Sequence, residues 1–398
     1  MPDIAHALPL SQPQGLSPKR SLLIAAIGFL TLVDLFATQA ILPSLANAYA
    51  VTPSQIGLAA NASTLGMAIS GLLVGVLSGS VERKRAISAC LLFLAVPTAL
   101  LAFAPNLTVF AALRVIQGLF MAGAFTLTLT HLAERCEVRT AQALAAYVTG
   151  VVASNLIGRL TAAFVASVVG AEQSFLFFAL LNLAGATLVA ATLHRNAPLP
   201  MIGDDRFWTA WRKHLGDREL RRTFTIGFLI LFGFIGVFTY VGFVLMEPPH
   251  MLSMTALGLV FLVFLPSMFT TPTAGAAVRK YGPGPSTAAG LAVAIFGLLL
   301  MLVPSLASVI AGMTLVGIGT FFAQAVATGH VGRTAQGDKA AASGLYLSSY
   351  YCGGLVGAAV IGQLFDRSGW FAAVAGVGVA LGIAAVLALK LKSPEDGR

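Results

Sequence analysis

An all-α integral membrane protein, with twelve transmembrane helices in two pseudo-symmetric six-helix bundles, is the fold class this sequence predicts. Three observations carry that prediction: too few charges for a soluble surface, twelve apolar runs of spanning length, and basic residues confined to alternate connectors. Charged residues are 10% of the 398 positions against 57% hydrophobic, and mean hydropathy is +0.87. A soluble domain carries about 25% charged residues. A surface this poor in charge is solvated by lipid.

A span needs about 20 predominantly apolar residues. Runs of that kind occupy 21–46, 54–79, 86–104, 107–132, 141–168, 174–193, 223–246, 253–278, 286–304, 307–329, 341–365 and 370–390. Most connectors are a few residues long; 194–222, near the midpoint, is the exception. The expected division is a tail at 1–20, a bundle at 21–193, a linker at 194–222, a second bundle at 223–392 and a tail at 393–398. The first run exceeds a signal-peptide apolar core, so it is expected to stay in place although Ala48-Tyr49-Ala50 mimics a cleavage site.

The basic residues test this count. With the N-terminus cytoplasmic, Lys19, Arg20, Arg83, Lys84, Arg85, Arg135, Arg139, the seven in 194–222, Arg279, Lys280, Arg333, Lys339, Lys390, Lys392 and Arg398 fall inside. Only Arg367 falls outside, and Arg114 and Arg159 lie within spans. This is the positive-inside pattern. It places both termini in the cytoplasm, with an inner membrane as the setting. The net charge of +9 is then a topology signal, not a nucleic-acid face. Within the linker, Asp204-Asp205 can cap a short helix with Phe207, Trp208, Trp211 and Leu215 on one face. Arg206, Arg212 and Lys213 would meet lipid headgroups; an interfacial helix and a loose linker both fit this short pattern.

Some chemistry is excluded or disfavoured. Cys90, Cys136 and Cys352 are far apart and form no C-x-x-C, so neither a disulfide framework nor a zinc site is expected. His131-Leu132-Ala133-Glu134 lacks a third ligand nearby. No cofactor or metal is expected.

The two halves repeat weakly. Gly75-x3-Gly79 faces Gly275-x3-Arg279 at an offset of 200. At 199, Gly118 meets Gly317, His131 meets His330, Tyr147 meets Tyr346, Gly158 meets Gly357 and Gly170 meets Gly369. A parallel six-plus-six duplication of this kind is a transporter architecture.

After the second span the chain reads Gly75-Val76-Leu77-Ser78-Gly79-Ser80-Val81-Glu82-Arg83-Lys84, and in the fourth it carries Arg114, Gln117 and Gly118 as R-x-x-Q-G. With these motifs the chain resembles the major facilitator superfamily, in its sugar-efflux and multidrug proton-antiporter-like branch, over residues 21–392. Gly79 stands where the family carries an aspartate that latches a cytoplasmic gate. Gly150 to Arg159 keeps the glycine spacing of the antiporter signature without its proline. Gln39 to Pro43, Thr271 to Gly275 and Tyr350 to Gly354 are also similar to this branch. The resemblance implies a monomer, with spans one and four as neighbours beside a central cavity. It implies a gate at Gly75, Gly79, Arg83, Lys84, Gly275 and Arg279.

Ionisable groups deep in a span are costly and usually face a cavity or a partner. Asp34, Arg114 and Arg159 are such groups. Asp34 and Arg114 fall at similar depth, and they read as a proton-coupling pair or as an ion pair that only ties two helices. Arg159, near the end of its span, reads as a cavity residue or as a snorkelling one. Gln39, Asn61, Gln117, Asn155 and Gln324 can line a cavity or bond neighbouring helices. Tyr147, Tyr240, Tyr346 and Tyr350 can be aromatic walls, or packing and interface anchors.

No G-x-x-x-x-G-K-[ST] loop is present, so this chain is not expected to hydrolyse ATP. One carboxylate beside one arginine suits protons better than sodium. The expectation is a non-enzymatic, proton-coupled secondary transporter of a small solute. The resemblance favours export over import. A transport-inactive sensor on the same fold is the alternative from another class. A lone acid in the cavity suits neutral or cationic solutes.

Overall fold

The computed structural model describes residues 17–77, 82–135, 140–193 and 204–391. Among them the regular elements are all helical: α1 Pro18–Ala40, α2 Leu42–Tyr49, α3 Pro53–Asn61, α4 Ser63–Leu77, α5 Arg83–Leu101, α6 Leu107–Arg135, α7 Thr140–Val169 and α8 Ser174–Thr192. Then come α9 Asp204–Gly216, α10 Arg218–Met246, α11 Met254–Val260, α12 Leu265–Thr270, α13 Ala274–Tyr281, α14 Pro283–Leu300, α15 Leu306–Thr334 and α16 Lys339–Ala388. Gly79, most of the tails and 194–203 lie outside the described residues.

Local chemistry sets the boundaries. Ser17 caps α1 by accepting from the Arg20 amide at 3.4 Å, with Pro18 in the first turn, where a missing N–H costs nothing. Pro43 ends α1, because its ring clashes with the carbonyl four residues back. Thr52 and Gln55 close a reciprocal capping box on α3. Asp217 and Asp338 cap α10 and α16.

Among the described residues, eleven stretches are long and apolar enough to cross a membrane. The last, Lys339–Ala388, is two helices folded at Gly369, where φ is +74° and ψ −169°. That conformation is essentially open only to glycine. The expected twelve spans follow. The second span is α3 and α4, joined at Ala62. The eighth is interrupted twice, by 3₁₀ turns at Phe261–Phe264 and Thr271–Thr273. Pro266 and Pro272 follow or occupy those turns, and each removes a helical hydrogen bond. Phe164, Phe269 and Phe371 stand exposed on the outer wall, as lipid-facing side chains do.

In lipid, helices associate through close packing and small residues rather than through hydrophobic burial. Here α1 packs along α7, and α10 along α16. Gly28 lies against Tyr147 and Gly227 against Tyr346; Gly158 lies against Val33 and Gly357 against Phe232. These are equivalent residue pairs, 199 residues apart, although Gly28 rests on a backbone carbonyl and Gly227 on a ring.

The halves meet along two seams. On one, α3 and α4 run against α16; on the other, α7 meets α11 and the 3₁₀ turn after it, while α13 packs on α14 and α15. The end that holds α9 and the first turn of α1 is the terminal end; the end holding Ala50 and Gly369 is the far end. The α9 helix docks on the second half: Trp211 packs beside Leu220, Phe224 and Tyr346, and His214 Nε2 lies 2.8 Å from the Asp338 carbonyl. Leu215 is exposed.

Candidate functional site

Two buried polar clusters occupy the first half and its border with the second. In the first, Asp34 on α1 is 3% exposed and Arg114 on α6 is 1% exposed. Asn182 of α8 donates to the Asp34 carboxylate at 2.7 Å and to Thr98 Oγ1 at 3.1 Å. Gln117 Nε2 donates to the same Thr98 hydroxyl at 2.7 Å. Arg114 donates to Gln117 Oε1 at 2.7 Å, to the Ala60 carbonyl at 2.8 Å, to Ser63 Oγ at 3.1 Å and to the main-chain carbonyl of Asp34 at 3.4 Å.

The two charges therefore attract each other without touching. The guanidinium grips the backbone of Asp34, and its carboxylate faces Asn182. A chain of side chains links them instead: carboxylate, Asn182, Thr98, Gln117, guanidinium. Spans one, two, three, four and six each supply a group. Asn182 Oδ1 is buried without a partner. The amide can thus present Nδ2 to a carboxylate or, flipped, Oδ1 to a carboxylic acid.

In the second cluster, Arg159 on α7 is fully buried. It does not snorkel; the guanidinium turns inward to the seam. It donates to Gln39 Oε1 and, at 2.9 Å, to the Asn155 carbonyl. Three rings face it: Phe36 at 5.0 Å, and Phe261 and Phe264 at 4.7 Å each. Cation–π contacts of this kind contribute about 2 kcal/mol when desolvated, and they hold the group against the pull of the interface. Gln39 Nε2 reaches Asn61 Oδ1 at 3.5 Å, and Asn61 Nδ2 donates to Thr239 of α10 at 3.1 Å. The cluster thus crosses from one half to the other.

The remaining sequence candidates fall elsewhere. Tyr147 is buried between α1 and α7, its hydroxyl near Thr31 and Thr128 but without a hydrogen-bond partner. Tyr240 donates to the Ala358 carbonyl at 2.5 Å, stacks on Phe365 and is wedged by Gly57 and Gly362. It plugs the far end. Tyr346 donates to Gln324 Oε1 at 2.8 Å and stacks on Tyr350 at 6.2 Å, a smaller polar group in the second half. Of the gate residues, Gly75 lies on α4, Arg83 and Lys84 begin α5, and Gly275 and Arg279 share α13, one turn apart. Glu82 pairs with Arg85 at 2.9 Å.

Several participants were not singled out from sequence. Asn182 is an amide within an apolar run, which is a signal visible in the sequence. Phe36, Phe261 and Phe264 gave no signal, since phenylalanine is ordinary in a span. Ser54 and Asp366 close the far end: the carboxylate accepts from the Ser54 amide at 3.2 Å and from its hydroxyl at 2.5 Å. Nearer the terminal end, Ser348 Oγ donates to the Ala68 carbonyl at 2.7 Å. Among the described residues no group of three or more His, Cys, Asp or Glu can hold a metal ion.

Comparison with known proteins agrees with this geometry. The sequence pattern of the Major Facilitator Superfamily matches residues 24–265 and 244–398. The chain is 28% identical over 377 residues to the MFS-type transporter YybF of Bacillus subtilis (strain 168), covering 93% of each. It is 29% identical over 372 residues to the inner membrane transport protein YnfM of Escherichia coli (strain K12), covering 93% of this chain and 88% of that one. Its fold matches the crystal structure of a D-xylose–proton symporter with a TM-score of 0.77 at 15% identity, over 95% of this chain and 98% of the other. With a family pattern running nearly end to end, relatives matched along almost their whole length and a transporter's twelve-span fold, this multi-pass membrane protein belongs to the Major Facilitator Superfamily and is a transporter, not an enzyme.

Proposed function

We propose that the chain is a proton-coupled secondary transporter of the cytoplasmic membrane, exporting a small solute by alternating access. Both termini and the 194–222 linker face the cytoplasm. The carrying observation is Asp34. A carboxylate in the membrane interior, with one amide donor and a guanidinium near but not touching, has two states of comparable standing. Charged, it is held by Asn182 and by the field of Arg114; neutral, it donates to the flipped amide. Desolvation favours the neutral state and the cation favours the charged one. A small movement of α1 against α6 changes that balance. The seams supply the movement: the far end is closed by Ser54, Asp366 and Tyr240, and α13 stands with its own half.

The orientation rests on the basic connectors. A cysteine at position 208 is expected to react with an impermeant reagent only from the cytoplasmic side, and labelling on intact cells overturns it. The coupling test is solute-dependent proton movement in proteoliposomes. Asp34→Asn is expected to abolish gradient-driven transport and leave exchange largely intact. A purely structural Asp34–Arg114 pair would instead be rescued, in stability and coupled transport alike, by Asp34→Asn with Arg114→Gln.

A further inference from the structure

Arg159 is a buried cation with no anion beside it among the described residues. Among the described residues no Asp or Glu lies within ion-pair distance of it. Its Nε has no partner, and neither do the amide oxygen and nitrogen of Asn155 one turn away. Asp34 answers the charge of Arg114, and among the described residues no second buried carboxylate answers that of Arg159. A lone ion in this position is costly even with rings around it. The fold keeps three donors or acceptors idle at one spot on the seam.

The two halves face this spot with opposite chemistry. The first presents Arg159, Gln39 and Asn155. The second presents phenylalanines from three spans. Phe261 and Phe264 lie on the guanidinium; Phe238 is 4.6 Å and Phe321 5.9 Å from Phe264, centroid to centroid, and Phe234 is 5.3 Å from Phe321. Phe261 and Phe264 ride on a 3₁₀ turn, a weak point in the eighth span, so the aromatic side can withdraw from the cation when the seam opens.

We propose that this seam is the substrate site, and that its ligand is an organic monoanion: a carboxylate on Arg159 and Asn155, with an apolar or aromatic body on the phenylalanines of the second half. This rests on the transport reading and narrows it, replacing the neutral or cationic solute expected from sequence. Such a ligand touches both halves at once, so its binding favours their closure around it. The carboxylate takes the idle Nε–H and the Nη2 edge beside it, where it competes with Gln39; a lysine cannot reproduce that planar edge.

The test uses purified full-length protein and paired probes: benzoate against benzamide, hexanoate against hexanamide, and sodium chloride as an inorganic anion. Thermal stabilisation across a concentration series gives an apparent Kd for each. At least one acid is expected to bind 10-fold or more tightly than its amide. Arg159→Met keeps the volume and removes the lone charge, so the ligand-free protein should melt no lower, while the preference for acid disappears. Should that variant fail to fold, Arg159→Lys retains charge and is expected to keep a reduced preference. Acids no better than their amides throughout, a preference that survives Arg159→Met, or chloride as effective as the acids would each overturn the proposal. Asp34→Asn separates the two readings. It should keep the acid preference in binding, so a failure of proton coupling appears there without touching Arg159.

Discussion

The two halves share one frame and differ in what fills it. Gly28 against Tyr147 recurs as Gly227 against Tyr346. Gly150 sits on the Ala25 carbonyl, and 199 residues on Ser349 donates to the Phe224 carbonyl at 3.0 Å. Yet Asp34 becomes Gly233 and Asn182 becomes Leu381, and these two are again in contact. Thr98 becomes Gly297 and Gln117 becomes Val316, also in contact. Arg114 corresponds to Met313, Gln39 to Phe238 and Arg159 to Ala358. A hydrogen-bonded carboxylate network and a glycine–aliphatic contact occupy equivalent space. Since apolar packing serves the frame in one half, the polar version in the other is not required for folding. Replacing a buried polar network by well-packed apolar groups is often neutral or stabilising. The difference assigns the chemistry to the first half and the apolar wall to the second.

The strongest way to break this comparison is at Asp34. Asp34→Asn is expected to lower gradient-driven transport more than 100-fold while the melting temperature changes little, measured in proteoliposomes and by thermal unfolding. Full uphill activity would remove the proton carrier from the first half.

Gly28→Leu and Gly227→Leu test the shared frame. Each places a side chain into a tyrosine, and overpacking of this kind costs about 1–3 kcal/mol. Similar losses of stability in both are expected; tolerance at one site alone would show that the halves pack differently.

Asp366→Asn probes the far-end seam, where a carboxylate spans from α16 to the first turn of α3. It also sits well at that positive helix end. Loss of its charge should weaken closure by about 1–2 kcal/mol. The readout is greater reactivity of a cysteine placed at residue 59, a buried alanine on α3, and unchanged reactivity would show that Tyr240 holds the seam alone. The smallest effect is expected at Thr239→Val, which deletes a bond to Asn61 across the halves, worth ~0.6 kcal/mol in a membrane protein. A shift in the inward–outward ratio of a few-fold is the expected result, and a stability loss above about 2 kcal/mol would assign the residue to packing instead.

Much of the frame was legible beforehand. The span positions and the equivalence of Tyr147 with Tyr346 follow from hydropathy and a constant offset. Asp34 and Arg114 stood out because ionised groups are rare in spans. Their relation was not legible, because depth along a helix says nothing of rotation about it. Asp34 turns toward Asn182 and Thr98, away from the guanidinium. Arg159 admits two outcomes from sequence for the same reason: position near a span end allows snorkelling, and only the three rings decide against it. The linker helix was visible as an amphipathic pattern, while its seat against Asp338 depends on where another helix begins.

By itself the sequence determined that this chain lives in lipid, how many times it crosses, and which residues are too costly to be there by accident. Those properties are sums along the chain, of transfer free energy and of charge, and need no partner to be computed. The tertiary structure alone decided which costly groups meet. It put Asp34 with Asn182 and placed Arg159 among phenylalanines from both halves, with no anion in reach among the described residues. It also closed the far end with Ser54 and Asp366, 312 residues apart. Such pairings depend on helix rotation and crossing, and these are set by the glycine contacts that let one backbone rest on another.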